Sequence, residues 1–593
     1  MKNCFKKIIY FIKEHYLMLV LGLLLSLIIF APLLVFPWVI GKEYQGININ
    51  AFGTDAHFYL TRGKEALEGH NLGSAVTREG KNEKDLYLSY SDYILLAPVK
   101  ILGFGQSVNI VTLYNIYNFI GIFVLILLIY FFSLEMSGNK LLSLAAAVFT
   151  VGGYSIVYNK ALFYNSFNIY ARVLYPYFSS IALFLYLNFL ARSINSSSLK
   201  YKVYSALVFG AMFYIYFYGW SFVLILNGCL FLIYFLKKDY AGLKKILFIS
   251  LFGLAIGAYN LIRLFGLMFS STEMDRQIAY FSWMSLGRAP IFSKIGFGAL
   301  ALFLIFWHQR RNDKNIPLIL AIILAGWIAL NQQIITGRML QYGHYYWYFI
   351  VPLSIVIGFY MFGRLVNREK LKFYALVSLI GVAFLNTAVG QYRSFFTTLE
   401  PKRYEQNYRP FIDYLNKVVE PTVIFAEQTD NYLFTIFTPH DLFWNQIVTI
   451  SRVPIDRFKD TLFIYYFLNK DSRGNFQEYL SQIAGDNRAR GTYYQVLYRN
   501  LEGYWSGHDF YTYQKKLINS DAGLASRRPE VIAQLAKEYE EAIKDGGINK
   551  IFDKYGVKYL FWDKNNNPEW DLSGIKGLKE VVAHNNIYLY ELN

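Results

Sequence analysis

Long apolar runs recur along the chain and constrain its fold more than any other feature of the sequence. A helix needs about 20 apolar residues to cross the hydrocarbon core of a membrane, and it satisfies its own backbone hydrogen bonds there. About eleven runs approach that length, at approximately residues 17–38, 108–133, 141–159, 174–192, 203–219, 221–237, 245–264, 292–308, 316–332, 345–363 and 372–390. The sequence therefore predicts a polytopic α-helical membrane protein.

The distribution of lysine and arginine between these runs predicts the orientation. The N-terminal tail MKNCFKKIIYFIK is basic, and most even-numbered loops counted outward from it are basic as well. Cytoplasmic loops carry such an excess, so we predict a cytoplasmic N-terminus and an external C-terminus in the inner (plasma) membrane. The first run is too long for a signal-peptide core and lacks a cleavage site, so we expect it to remain as a span. The external regions are then approximately 39–107, 160–173, 265–291, 333–344 and everything after 391.

Composition excludes several other classes of protein. The formal net charge is +17, but the basic residues follow the loop pattern just described, so we expect no nucleic-acid partner. The chain has two cysteines, Cys4 in the tail and Cys229 inside an apolar run. These two positions predict neither a disulfide framework nor a cysteine-based metal site.

Two external regions are too long to be simple connections. The loop 39–107 contains a predicted helix over Ala56–Leu67, and its segment Tyr90–Gly105 is expected to lie along the membrane interface as an amphipathic helix. After the last span the composition becomes mixed polar and apolar. We therefore divide the chain into a transmembrane domain, 1–395, and an external α/β domain, 396–593. Strands of that domain are predicted at Thr422–Ala426, Gly556–Trp562 and Ile587–Glu591.

The segment GTDAHFYLTRGKEALEG, Gly53–Gly69, follows the first span and carries the most informative residue, Asp55. An aspartate at the start of a helix usually caps it by accepting backbone N–H groups. A carboxylate at a membrane boundary can also act as a general base. Spacing alone favours the cap.

A family resemblance favours the second interpretation. An uncleaved first span, an aspartate followed by aromatic residues and a helix in a long first external loop, and a C-terminal external domain together resemble the GT-C superfamily of membrane glycosyltransferases. The segment YSDYILLAPVKILG, Tyr90–Gly103, is similar to the end of this loop in the protein-mannosyltransferase-like branch, and the D-x-x-F-Y stretch resembles oligosaccharyltransferase catalytic subunits. The resemblance implies a polyprenyl-phosphate-linked sugar donor, a glycan, lipid or protein acceptor on the outer face, and Asp55 as the base that activates the acceptor.

The other external loops supply candidates for binding the donor. Arg172 ends the second external loop, and Arg338 and His344 lie in the fourth, where a guanidinium can bind a phosphate with two hydrogen bonds. Predicted substrate-binding residues are His57, Tyr59, Gln333, Gln341 and Tyr345. An interfacial belt of aromatic residues with a snorkelling arginine is the alternative for the fourth loop. In the third loop, Asp275 and Arg276 are expected to form an exposed ion pair more readily than a substrate contact.

Departures from the family pattern limit what the resemblance implies. The second external loop, Tyr158–Arg172, contains no acidic residue, and the Trp-Trp-Asp motif of oligosaccharyltransferases is absent. Sequon glycosylation is therefore not expected, no cofactor is assigned, and a divalent metal is disfavoured. Asp55 is followed by Ala56 rather than a second acid, unlike the protein-mannosyltransferase branch. A transporter or flippase of lipid-linked glycans and a non-catalytic membrane scaffold stay open as alternatives.

Overall fold

The computed structural model of the protein describes residues 2–49, 54–85, 89–105, 108–268, 285–339, 341–427, 431–445, 447–448, 451, 453–485, 493–506, 513, 516 and 521–593. The helices of the first half are α1 (Lys2–Ile40), α2 (Thr54–Glu68), α3 (Ser91–Ile101), α4 (Ile110–Ser137), α5 (Lys140–Gly152), α6 (Tyr154–Asn159), α7 (Tyr177–Asn195), α8 (Leu199–Ile215), α9 (Phe217–Leu236) and α10 (Tyr240–Met268).

The second half continues with α11 (Lys294–Gln309), α12 (Ile316–Leu330), α13 (Gln333–Thr336), α14 (Tyr342–Tyr345), a π-helical turn (Tyr346–Ile350), α15 (Val351–Leu365), α16 (Glu369–Glu405), α17 (Arg409–Leu415), α18 (Tyr432–Phe437), α19 (Asp456–Leu468), α20 (Lys470–Arg473), α21 (Phe476–Gly485), α22 (Tyr493–Trp505), α23 (Ala522–Ile543) and α24 (Gly547–Lys554). The strands are β1 (Ser285–Leu286), β2 (Arg338–Met339), β3 (Val423–Ala426), β4 (Asp441–Leu442), β5 (Val557–Asp563), β6 (Leu578–His584) and β7 (Ile587–Leu592).

Within the described part of the chain, eight helical segments are long and apolar enough to cross a membrane, so the chain is a multi-pass membrane protein. These are Phe5–Glu43, Ile110–Ser137, Tyr177–Asn195, Phe217–Leu236, Tyr240–Gly266, Ile316–Thr336, Tyr342–Leu365 and Glu369–Leu415. The three further spans predicted at 141–159, 203–219 and 292–308 fall on shorter helices, α5 with α6, α8 and α11. The number of spans stays a prediction.

The loops predicted to be cytoplasmic contact one another at one end of the helical bundle. The contacts are Lys140 with Glu14 (3.2 Å), Arg192 with Glu135 (3.5 Å), Arg364 with Asp313 (3.1 Å), and the Lys245 ammonium with the Ile194 carbonyl (3.0 Å). This grouping is what an alternating topology requires. It does not define which side of the membrane the end faces, so the orientation also stays a prediction.

The C-terminal region forms a five-stranded sheet in the order β4-β3-β5-β7-β6. Strands β4, β3 and β5 are parallel, and β5, β7 and β6 are antiparallel. The three predicted strands match β3, β5 and β7. Strand β6 was not predicted, because it is an edge strand whose side chains are largely exposed and include Lys579, Glu580 and His584, so it lacks a buried apolar run.

The first external loop packs directly against this sheet. The Leu442 N–H donates to the Val76 carbonyl (2.9 Å), and the Lys81 ammonium lies 2.5 Å from an Asp441 oxygen. Buried Arg457 pairs with Glu79. The loop therefore connects the membrane helices to the C-terminal region. The domain boundary predicted at 395/396 lies within α16.

Helix α3 covers the predicted interfacial segment. It buries Asp92 and Leu96 on one side, while Ile101 and the following Leu102 and Phe104 are 83%, 68% and 57% exposed. This division between a buried and an exposed apolar face is typical of a helix lying at a membrane surface.

Candidate functional site

Helix α2 places Asp55 at the end of the bundle that is predicted to be external. The helix begins at Thr54, so Asp55 lies in its first turn, where a carboxylate interacts favourably with the helix dipole. The residues that follow Asp55 in the helix, among them Ala56 and Leu60, are buried. The Asp55 side chain is 51% exposed and forms an ion pair with Arg172. Its accessibility leaves the carboxylate open to an incoming molecule.

Arg172 is held in place from several directions. A short 3-10 turn, Ile169–Ala171, precedes it, and the Asn118 amide donates to the carbonyls of Tyr170 (3.0 Å) and Arg172 (3.1 Å). One guanidinium nitrogen pairs with Asp55, and another donates to the Tyr348 hydroxyl at 3.0 Å. The fixed backbone and these two partners orient the guanidinium plane.

A series of aromatic contacts joins this pair to His344. The His344 ring stacks on the Tyr348 ring with 5.3 Å between centroids, and its Nδ1 lies 2.9 Å from the Tyr216 hydroxyl. Tyr216 stacks on Tyr175 (4.4 Å), which contacts Tyr59 edge to face (5.3 Å). Residues from α2, the second external loop, the α8–α9 junction and the segment before α15 therefore meet at one place.

A cavity of about 360 Å³ opens beside Arg172. Its lining includes Tyr154, Tyr158, Asn168, Arg172, Trp347, Asn386 and Gln391. The Asn386 side-chain oxygen accepts from the Phe163 N–H (2.8 Å), and the Gln391 oxygen accepts from the Asn168 N–H (2.9 Å). These amides fix the second external loop against α16. Sequence reasoning missed them, although polar residues near the end of an apolar span are a signal of function or of specific pairing.

The predicted fourth-loop residues occupy different surroundings. Gln333 is fully buried and donates to the Ala289 carbonyl (3.0 Å), which anchors the connection before α11. Tyr345 is buried with its hydroxyl 2.8 Å from the Ser221 hydroxyl. The backbone carbonyl of Gln341 accepts from the His344 N–H (3.0 Å).

Arg338 belongs to β2, where its backbone pairs with Leu286 of β1. Its side chain lies outside the described residues, as do Asp275 and Arg276.

His57 lies under the C-terminal region, away from the contacts of Asp55 and Arg172. Its ring packs on Tyr432 of α18 with 5.3 Å between centroids. Burial, with a smaller contribution from the Lys402 ammonium, lowers the pKa of His57 to about 4. The described contacts thus unite Asp55, Tyr59, Arg172 and His344, whereas His57, Gln333 and Tyr345 make packing or loop contacts. The substrate roles of all the candidate residues stay predictions.

A separate cluster in the first external loop has spacing suited to a metal ion. It consists of Glu65, Glu68 and His70. Among the residues that the structure describes, this is the one group with such spacing. The Lys81 ammonium lies 3.0 Å from a Glu65 oxygen and also contacts Asp441. Lys64 pairs with Glu68 at 3.1 Å, so cations of the chain itself neutralise both carboxylates of the cluster, which is an ion-pair network. Burial raises the pKa of Glu65 to about 7, and the Lys81 charge opposes that shift.

The whole arrangement is that of a multi-pass membrane protein with a cavity beside Arg172 and a C-terminal sheet region that packs against the first long loop. No protein-family model and no curated protein sequence matches the chain. Solved structures with a similar fold include the Archaeoglobus fulgidus oligosaccharyltransferase tethered with an acceptor peptide containing the NVT sequon. That match has a TM-score of 0.48 and 10% identity, and it covers 93% of this chain and 70% of that one.

A second similar structure is the archaeal oligosaccharyltransferase AglB from Archaeoglobus fulgidus in complex with an inhibitory peptide and a dolichol-phosphate. Its TM-score is 0.46 and its identity 11%, with coverage of 93% of this chain and 70% of that one. At TM-scores below 0.5 the likeness does not define the function, which has to follow from the side chains.

Proposed function

We propose that this protein transfers a sugar from a polyprenyl-phosphate-linked donor to an acceptor on the outer face of the membrane. Asp55 is the catalytic base, and Arg172 lies near the lipid phosphate. The observation that carries the proposal is the pairing of an accessible carboxylate with a fixed guanidinium beside a cavity of ligand size.

Asp55 has the chemistry that acceptor activation needs. A hydroxyl or amide that attacks the anomeric carbon must lose a proton, and a carboxylate within hydrogen-bond distance can take it. Asp55 is half exposed, so an acceptor can approach it from outside the bundle. A fully buried carboxylate with all its oxygens occupied by protein donors would lack that access.

Arg172 has the chemistry that the leaving group needs. A lipid phosphate departs as a stable anion, so it requires positive charge and hydrogen-bond donors more than a proton. A guanidinium offers five donors in one plane and stays charged at any physiological pH. Its contact with Tyr348 holds that plane beside the cavity. Arg338 and His344 are proposed as further donor-binding groups from the fourth external loop.

Transfer of radiolabelled sugar from a polyprenyl-phosphate donor tests the proposal in proteoliposomes that contain the full chain. Asp55→Asn removes the base but keeps the size of the side chain, so transfer should be lost while donor binding persists. Glu43→Gln is a matched control, because Glu43 also pairs with an external arginine, Arg403, at 3.0 Å and is exposed.

The alternatives give different results in the same assay. A transporter or flippase would move labelled donor across the bilayer without Asp55-dependent transfer. A non-catalytic scaffold would do neither. Equal transfer by the Asp55→Asn variant and the unmodified chain would contradict the role of Asp55.

A further inference from the structure

The two groups that the proposed reaction requires are bonded to each other. Arg172 pairs with Asp55 through one guanidinium nitrogen and donates to Tyr348 through another. A carboxylate in an ion pair is a weaker base than a released one, because the positive charge stabilises its ionised form. A guanidinium that carries a carboxylate is likewise partly neutralised toward a phosphate. The observed pair is therefore a resting arrangement in which neither group is ready for its proposed role.

We propose that the donor phosphate and the Asp55 carboxylate compete for the Arg172 guanidinium, so that donor binding releases Asp55 for the acceptor. This inference rests on the proposed function and adds an order to it. The phosphate occupies Arg172 first, and Asp55 becomes an effective base only afterwards.

Exposure and anchoring of the two residues favour this exchange. The Asp55 side chain is 51% exposed, so water can solvate the carboxylate once it leaves the pair. Arg172 is 18% exposed, lines the cavity and keeps its contact with Tyr348. Arg172 can therefore bind a phosphate in the cavity with little movement.

Electrostatics favours the phosphate as the competitor. Exposed ion pairs contribute little net stability, because both charges are well solvated when they are apart. A phosphate group carries more acceptor oxygens than a carboxylate and forms bidentate bonds with arginine. Replacing Asp55 by phosphate at Arg172 therefore exchanges a weak contact for a stronger one.

Binding of polyprenyl phosphate, the lipid without sugar, provides the first test, with polyprenol as the phosphate-free control. The full chain is placed in nanodiscs. Asp55→Asn removes the competing charge, so the affinity for polyprenyl phosphate should rise by roughly 1.5- to 5-fold, the range expected from one partly exposed ion pair. Glu43→Gln should leave the affinity unchanged. In an Arg172→Gln background, Asp55→Asn should have no effect, because the group competed for is gone.

Carbodiimide labelling of Asp55, read by peptide mass spectrometry, provides a second readout. Labelling should increase when polyprenyl phosphate is added and stay constant with polyprenol. The exchange would be overturned if Asp55→Asn left the affinity for polyprenyl phosphate equal or lower, or if the labelling of Asp55 did not rise. Neither result would overturn the proposed donor site. Absence of any phosphate-dependent binding to the unmodified chain would overturn the donor site itself, and the exchange with it.

Discussion

The two ends of the membrane bundle each hold an aspartate–arginine pair, and the pairs differ in what surrounds them. At the predicted cytoplasmic end, the Asp313 side chain is 2% exposed, and it accepts from the Tyr360 hydroxyl (2.7 Å) and from Arg364 (3.1 Å). At the other end, Asp55 is 51% exposed and its arginine lines a cavity. The comparison shows that an aspartate–arginine pair indicates a functional site when its carboxylate is accessible to a ligand. The Asp313 carboxylate has its hydrogen bonds filled by protein groups, whereas Asp55 is open to a ligand.

The largest expected effect is a difference in sugar-transfer activity between substitutions of Asp55 and of Asp313. Asp55→Asn should reduce sugar transfer by roughly 10²- to 10⁴-fold, the usual contribution of a positioned general base. Asp313→Asn should lower stability by about 1–3 kcal/mol, because it weakens buried hydrogen bonds. Transfer per folded molecule should not change in that variant. Transfer rates normalised to folded protein measure the activity, and unfolding of each variant measures the stability. A large loss of normalised transfer in Asp313→Asn would remove the distinction.

Acid should destabilise the packing of the C-terminal region through His57. Its folded pKa of about 4 lies below the ordinary value of 6.5, so the unfolded chain binds the proton more readily. Stability that is fully present above pH 6.5 should be lost as the pH falls toward 4. The loss approaches about 3 kcal/mol by the linkage of one pKa unit to 1.36 kcal/mol. Unfolding of the C-terminal region followed across that pH range measures it.

The control for this prediction isolates His57 from Glu65. The folded pKa of Glu65, about 7, is raised, so its contribution has the opposite sign and is lost as the pH rises from 4.5 to 7. A His57→Gln variant keeps Glu65 and removes only the histidine. The difference between the two pH profiles should therefore be constant above pH 6.5 and change below it, because only the unmodified chain loses the His57 contribution in acid. Parallel profiles at every pH would contradict the assignment to His57.

Substitution of the arginine at each end of the bundle, Arg172 and Arg364, compares the contribution of the two ends to donor affinity. Arg172→Gln removes the charge proposed to lie beside the lipid phosphate, so the KM for the donor should rise by roughly 10- to 100-fold, as expected for a charge-assisted contact. Arg364→Gln should leave that KM unchanged. Initial rates at varied donor concentration distinguish the outcomes, and equal KM values for both variants would contradict a donor role for Arg172.

The smallest expected effect concerns the orientation of Arg172. Tyr348→Phe removes the hydroxyl that accepts from the guanidinium at 3.0 Å while keeping the ring that stacks on His344. Transfer should fall by roughly 2- to 10-fold, less than the full value of a charge-assisted hydrogen bond, because the pair with Asp55 still orients the guanidinium. Tyr360→Phe at the Asp313 pair is the matched control and should not alter transfer. A Tyr348→Phe variant with full activity would show that the pair with Asp55 suffices to orient the arginine.

Local signals made part of the fold predictable. Strand β7 carries alternating residues from Ile587 onward, and α2 begins one residue before Asp55, in the segment where the sequence places a helix. Strand β6 was missed because an exposed edge strand lacks the run of buried apolar residues from which a strand is predicted. The role of Gln333 was also hidden, because a polar residue beside a membrane boundary looks the same whether it binds a substrate or anchors a loop.

The sequence by itself determined that the chain spans a membrane many times, that its C-terminal region contains strands, and that Asp55 is a candidate for a functional test. Each of these follows from the spacing or type of residues near one another in the chain. Only the tertiary structure decided that Asp55 meets Arg172, that Tyr348 and His344 join them, and that His57 turns away toward Tyr432. The physical reason is that hydropathy and periodicity act over one helix or strand. An ion pair between two loops depends on how the helices that carry them pack together.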